Sequence, residues 1–154
     1  MNSMTHRHSS LRRGRRSIAG QLYLVTFATS QRRPHFLDWD VAVDAARSLS
    51  DPCNWQESKL LAWVLMPDHW HGLVELDKGD SLPKRIGWVK AQTARQLRKS
   101  HPALGKVWSR AYHDHALRKE EDAREISDYL MMNPVRAGLV GCARNYPFWD
   151  VVWL

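Results

Sequence analysis

Hydrophobic and polar positions change period several times along the 154-residue chain, and each change marks an element. QLYLVTFAT, residues 21–29, is rich in β-branched and aromatic residues and is closed by SQRRP, which predicts a first strand and a turn. DWDVAVDAARSLS, residues 38–50, spaces Val41, Ala45 and Leu49 by four behind Asp38 and Asp40, either of which can cap a helix start. KLLAWVLM and HWHGLVELD read as two strands separated only by Pro67 and Asp68, the spacing of a tight hairpin. A second helix is predicted from Leu82 to Lys99. Its inward side carries Ile86, Val89, Thr93 and Leu97, and Lys84, Trp88, Arg95 and Lys99 fall opposite. After the break at Pro102 and Gly105, VWSRAYHDHALR, residues 107–118, reads as a fourth strand. EEDAREISDYLMMN then reads as a helix whose acidic first turn complements its dipole. Pro134 is expected to end it, because the residue before a proline is pushed out of the α region.

The order β-α-β-β-α-β-α predicts an α+β fold: a ferredoxin-like βαββαβ antiparallel sheet with an added C-terminal helix, which carries Tyr129. Such a fold hosts many functions and names none.

Charge sharpens the picture. The formal net charge is +7, and it is concentrated in two places. Residues 1–19 hold Arg7, Arg12, Arg13, Arg15 and Arg16 with no acidic residue, and read as a basic, flexible arm ahead of a single domain over residues 20–154. Residues 82–100 hold six Lys or Arg and again no acid. A polyanionic partner is expected. The candidate phosphate contacts are Lys84, Arg85, Arg95, Arg98 and Lys99, with Arg12, Arg13, Arg15 and Arg16 of the arm, and Trp88 can stack on an unpaired base. A merely solvated helix face is the alternative. The longest apolar run, residues 60–66, falls far short of the roughly 20 residues that cross a bilayer, so no membrane span is expected. The N-terminal stretch lacks the apolar core of a secretory signal, and Cys53 and Cys142 suit neither a disulfide framework nor a zinc knuckle. A cytoplasmic location is the expectation.

Candidate chemistry starts at MPDHWHG, residues 66–72. Residues two apart on a strand share a face, so His69 and His71 project together, away from Trp70, and two imidazoles side by side can hold one divalent metal. Structural histidines at a strand edge would give the same pattern. Tyr129 and Asn133, four apart on the last helix, share a face beside the apolar stripe Ala123, Ile126 and Leu130 that should dock on the sheet. The Asn133 amide oxygen can complete a three-ligand half-shell with the imidazoles, leaving open positions for water and a phosphate oxygen. Glu75 lies on the histidine face of the same strand and is an auxiliary candidate. So are His115 and Arg118 in DHALR, for phosphate contact or ligand orientation. Tyr112 is the rival phenol, near His113 and His115.

MPDHWHG resembles the HUH motif (histidine, bulky hydrophobe, histidine) of the single-tyrosine transposases, and WSRAYHDHALRKEEDAREISDYLMMNPVRAGLV resembles the C-terminal block of their REP-associated branch. GQLYLVTFATSQRRPHF is similar to that branch's first strand, so the likeness runs from Gly20 to Trp149. The resemblance implies that His69 and His71 bind the metal, Mg²⁺ or Mn²⁺, that Asn133 is its third ligand, and that Tyr129 is the nucleophile. It further implies a catalytic domain that nicks and joins single-stranded DNA through a 5′-phosphotyrosine link, beside hairpins of repeated extragenic palindromes, as a monomer or homodimer. The alternatives to this reading are a non-catalytic nucleic-acid-binding module on the same fold and a metal phosphodiesterase that uses water.

Overall fold

The computed structural model describes residues 20–118 and 121–153, so the arm with Arg12, Arg13, Arg15 and Arg16 lies outside the described residues. Strand β1, Leu22–Ala28, alternates strictly: Tyr23, Val25 and Phe27 go to one face, and Leu24, Thr26 and Ala28 to the other. Helix α1, Trp39–Ser50, starts at Asp38, whose carboxylate accepts from the Asp40 and Val41 amides and so satisfies two otherwise orphaned donors. A single turn, α2 (Pro52–Trp55), leads into β2, Lys59–Met66, which pairs across Pro67 and Asp68 with β3, His69–Glu75. Helix α3 spans Leu82–Ser100 behind a Ser81 cap. Strand β4, His113–Ala116, helix α4, Ala123–Met131, the short helix α5, Asn133–Arg136, and strand β5, Trp149–Val151, complete the chain.

All five strands form one antiparallel sheet in the order β4-β1-β3-β2-β5. β3 lies between β1 and β2, the split arrangement predicted from sequence. β5 is additional; three residues are too few for an alternating period to register. One face of the sheet packs against α1 and α3 through Val25, Phe27, Leu65, Trp70, Val74, Ala45, Leu49, Ile86 and Val89. The other is covered by α4, where Leu130 meets Val64, Met66 and Leu73, with Ala123 and Ile126 beside it. Among the described residues no helix is long and apolar enough to cross a membrane.

Trp70 explains the middle and end of the HWHG motif. Its indole is fully buried, stacks at 4.8 Å on Phe27 and 6.0 Å on Trp55, and folds back over Gly72, where a Cβ would come within 2.0 Å of the ring. Only glycine leaves room for that indole.

Three local expectations are corrected. The strand expected over residues 107–118 shrinks to His113–Ala116, plus one isolated bridge from Trp108 to Thr29. Between them Lys90 Nζ donates to the carbonyls of Ser109 and Ala111 at 2.8 and 3.1 Å, which takes those acceptors out of the ladder. Pro134 does not end the helical path. The chain stays near the α region at Met132 and starts α5 at Asn133, with Pro134 in the first turn, where its missing N–H costs nothing.

The third correction concerns Arg85, expected among the phosphate contacts. It is 4% exposed and turned inward. Its Nε donates to Asp80 at 2.6 Å, Nη1 to the Asn54 carbonyl at 3.0 Å and Nη2 to Gln56 Oε1 at 2.9 Å. The helical period alone cannot show that an aspartate five residues upstream folds beneath the same helix. Removing one member of a buried ion pair strands the other, so Arg85→Ala is expected to lower stability by about 3–5 kcal/mol in a urea titration. Lys90 is likewise committed internally, which leaves Lys84, Arg95, Arg98 and Lys99 as the exposed cations of α3, beside Trp88 at 47% exposure.

Candidate active site

β3 places His69 and His71 on the α4 face, with ring centroids 4.6 Å apart and planes at 84°. Both rings are held by the same nitrogen. His69 Nδ1 donates to Asp68 Oδ1 at 2.6 Å, and His71 Nδ1 shares a 2.6 Å hydrogen bond with Thr26 Oγ1, the residue directly opposite it on β1. This leaves Nε2 of each ring as the nitrogen for ligation, and engaging the far nitrogen is how proteins fix the tautomer of metal-binding histidines. Asp68 is itself steadied by Arg32, 3.5 Å away, on a turn where Gln31 and Arg32 both have positive φ (57° and 53°). That conformation is unfavourable for residues with a Cβ and concentrates at functional sites.

Burial, followed by the charges of His69, Arg32 and Arg136, pushes the His71 pKa from its usual 6.5 down to about 3. The ring is therefore neutral at physiological pH, as ligation requires. Because the folded pKa lies below the unfolded one, the unfolded chain binds the proton first. This contribution to stability is complete above the unfolded value of 6.5 and is lost as pH falls toward the folded value of about 3. The metal-free protein is expected to lose about 2 kcal/mol between pH 7 and pH 5 through this group. The check is a fall in urea midpoint that is smaller in His71→Gln.

Four tyrosines compete for the role of nucleophile, and the fold separates them. Tyr23 is buried among the residues packed under α1 and α3, and Tyr112 packs against the same cluster, across the sheet from the imidazoles. Tyr146 donates its hydroxyl to the Leu65 carbonyl, and burial pushes its pKa up to about 12. Tyr129 is 60% exposed. Its neighbours on α4, Ser127 and Leu130, are the buried residues that dock the helix on the histidine face, which leaves the phenol at the margin of that contact. The Arg136 guanidinium lies 3.7 Å from the Tyr129 ring centroid, and its Nη2 donates to the Tyr129 carbonyl at 2.7 Å. Arg136 is one of the charges felt by His71, so the tyrosine–arginine pair and the imidazoles share one neighbourhood. Asn133, half-buried, opens α5 on the same helical path, four residues after Tyr129.

Other candidates end elsewhere. Glu75 is on the histidine face, but at the far end of β3, roughly 13 Å along the strand from His71, and it pairs with Lys59 at 3.5 Å. It does not support the histidines. His115 Nε2 bonds the Glu121 carboxylate at 2.9 Å, and that carboxylate also accepts from the Arg118 amide at 3.0 Å; the pair closes the loop after β4. The exposed cations of α3 and Trp88 lie across the sheet from the imidazoles, because α3 packs on the Trp70 face. Asp68, Thr26, Arg32 and Arg136 are site neighbours that sequence pattern alone does not single out. Asp68 adjoins the first histidine and carried a local signal. Thr26 becomes meaningful only once the β1–β3 register is known.

Among the described residues, no group of three or more His, Cys, Asp and Glu could hold a metal ion.

A family model described as Transposase IS200 like matches residues 18–133. A Haemophilus influenzae protein assigned as a REP-associated tyrosine transposase is 27% identical over 139 residues, covering 84% of this chain and 78% of the relative. The REP-associated tyrosine transposase of Escherichia coli K12 is 32% identical over 88 residues, covering 56% of this chain and 50% of the relative. A solved REP-associated tyrosine transposase bound to a REP hairpin superposes with a TM-score of 0.70 at 24% identity, covering 97% of this chain and 82% of that one. The superposition establishes the fold. Because the family match runs through well over half of the chain, from the first strand past the paired histidines to the tyrosine helix, this protein belongs to the IS200-like transposase family and is a tyrosine transposase acting on DNA.

Proposed function

We propose that this chain nicks and rejoins single-stranded, hairpin-bearing DNA through a 5′-phosphotyrosine intermediate on Tyr129. The observation that carries the proposal is that the one well-exposed phenol among four stands on the helix covering the sheet face that bears two supported imidazoles. In cleavage the Tyr129 oxygen forms a bond to phosphorus as the P–O3′ bond breaks. The phenolic proton passes to solvent, and the departing 3′ oxygen takes one up. The phosphate remains an ester, so the freed 3′-OH can reverse the step or join another strand. One nucleophilic tyrosine per chain gives one cleavage at a time, which suits a monomer acting twice or a homodimer.

The donor set fits a divalent cation: His69 and His71 present Nε2, and the Asn133 amide supplies an oxygen. Bound there, Mg²⁺ or Mn²⁺ would supply Lewis-acid polarisation of the phosphate and offset its charge. All three donors are neutral, so affinity is expected to be weak until the phosphate adds its own charge. Asp68 and Thr26 serve by fixing the ring nitrogens; Asp68→Ala or Thr26→Val is expected to weaken Mn²⁺ binding about 10–100-fold, read by electron paramagnetic resonance of free Mn²⁺.

Lys84, Arg95, Arg98 and Lys99 with Trp88 form a second DNA contact on the opposite side of the sheet, joined by Arg12, Arg13, Arg15 and Arg16 of the arm. We assign the hairpin to this basic surface and the unpaired flank to the imidazole face. A REP hairpin is the expected substrate class, supported by the names of the relatives and by the hairpin bound to the solved one. The protein is expected to act in the cytoplasm, where that DNA is.

The test uses a 3′-labelled hairpin oligonucleotide with an unpaired flank, incubated with Mn²⁺ and run on a denaturing gel. A labelled, protease-sensitive band of protein size is expected. Binding without cleavage would instead identify a non-catalytic module, and a free labelled product without an adduct would identify hydrolysis by water.

A further inference from the structure

We propose that Arg136 is a phosphate-binding residue of the active site: a guanidinium held on the Tyr129 ring so that its free N–H groups grip the phosphate that Tyr129 attacks. The inference rests on Tyr129 being the nucleophile and adds a second group to its site.

Local chemistry explains why the arginine is there. Tyr129 lies in the last turn of α4, where helical carbonyls run short of amide partners, and its carbonyl accepts from Arg136 Nη2 at 2.7 Å. The guanidinium carbon lies over the phenol, 3.7 Å from the ring centroid, which is a cation–π contact. Stacking fixes the plane of the fork, and the carbonyl uses only one of its five N–H donors. The remaining donors belong to a group seated on the ring that carries the phenolic oxygen. The other arginine beside the histidine face, Arg32, already has an anion in Asp68. Arg136 is exposed and, among the described residues, forms no ion pair with a carboxylate. A rigid cationic fork without an anion, beside a nucleophile that attacks a phosphodiester, is complementary to two phosphate oxygens. Its charge is also felt at His71, consistent with both groups serving one phosphate.

In the transfer step the phosphoryl group gains charge as the Tyr129 oxygen approaches, and Arg136 offsets it without exchanging any atom or proton. Groups of this kind are worth about 10²–10³ in rate. Arg136 could instead only hold the tyrosine in place, and the test separates these roles. Two hairpin oligonucleotides are compared, identical except that one carries a methylphosphonate at the scissile linkage, which removes the charge of that phosphate. On the phosphodiester, Arg136→Ala and Arg136→Gln should both lower adduct formation about 100-fold or more. Gln keeps a donor for the Tyr129 carbonyl but not the charge, so its failure to rescue points to charge rather than to latching. In the Tyr129→Phe background, which keeps the ring, the methylphosphonate should bind about 10-fold more weakly than the phosphodiester when Arg136 is present. With Arg136→Ala added, this discrimination should fall, and in buffer free of divalent cations the two should bind equally. Full rescue by Gln, or equal discrimination between the oligonucleotides with and without Arg136, overturns the assignment and leaves a structural latch. A wild-type chain that forms no adduct at all removes the nucleophile proposal, and this one with it. A wild-type adduct with an unaffected Arg136→Ala sinks this one alone.

Discussion

Tyr129→Phe is expected to abolish the covalent adduct, lowering its formation by at least about 10⁴-fold, while hairpin binding stays within about 2-fold. The substitution removes one oxygen. It keeps the ring on which Arg136 stacks, and at 60% exposure it should change stability by less than about 0.5 kcal/mol. No other phenol can substitute. Tyr23 is buried, Tyr112 packs on the opposite face, and Tyr146 is bound to a carbonyl with its pKa pushed up to about 12. The comparison is a denaturing gel for the adduct beside a filter-binding titration for affinity. An adduct persisting at the wild-type rate would show that the nucleophile lies elsewhere. Loss of binding and adduct together would indicate a folding defect, to be checked by the urea midpoint.

Replacing both imidazoles, as His69→Ala with His71→Ala, is expected to remove the divalent-cation requirement together with about 10²–10³ of the cleavage rate. The argument is geometric: two rings 4.6 Å apart, each with Nδ1 occupied, direct their remaining nitrogens outward from one sheet face. The readout that does not depend on activity is Mn²⁺ binding, which the double variant should lose. If Mn²⁺ bound and stimulated the double variant as it does the wild type, His69 and His71 would be structural histidines and the ligands would have to be sought elsewhere. Single variants are informative too, since His71→Ala also strands Thr26, whereas His69→Ala frees Asp68 to face Arg32 alone.

Much of the architecture was readable because it depends on local period. The alternation in β1, the two residues between β2 and β3, the Asp38 cap and the apolar stripe of α4 each follow from neighbours in sequence. The histidine pair was visible for the same reason, since a spacing of two fixes a shared face. What escaped depends on register or on long-range partners. Thr26 needs the pairing of β1 with β3, and Arg136 needs the turn of the chain past α4 that brings its guanidinium back to the Tyr129 carbonyl. Arg85 looked like part of a basic surface until Asp80, Asn54 and Gln56 were found beneath it. Glu75 shared the right face but not the right end of its strand. β4 was overextended because nothing local announces that Lys90, far upstream, will claim its leading carbonyls.

The indole between the two imidazoles bears on the metal site proposed for them. Trp70 is wedged between Phe27 and Trp55 and lies against the bare α-carbon of Gly72, so it cannot turn without prying the helical layer from the sheet. The imidazoles leave the same strand in the opposite direction and inherit that stiffness. Their geometry is thus pre-organised from behind, and little reorganisation energy would oppose binding of the proposed cation. Gly72→Ala, which touches neither cation nor DNA, would slacken both rings at once.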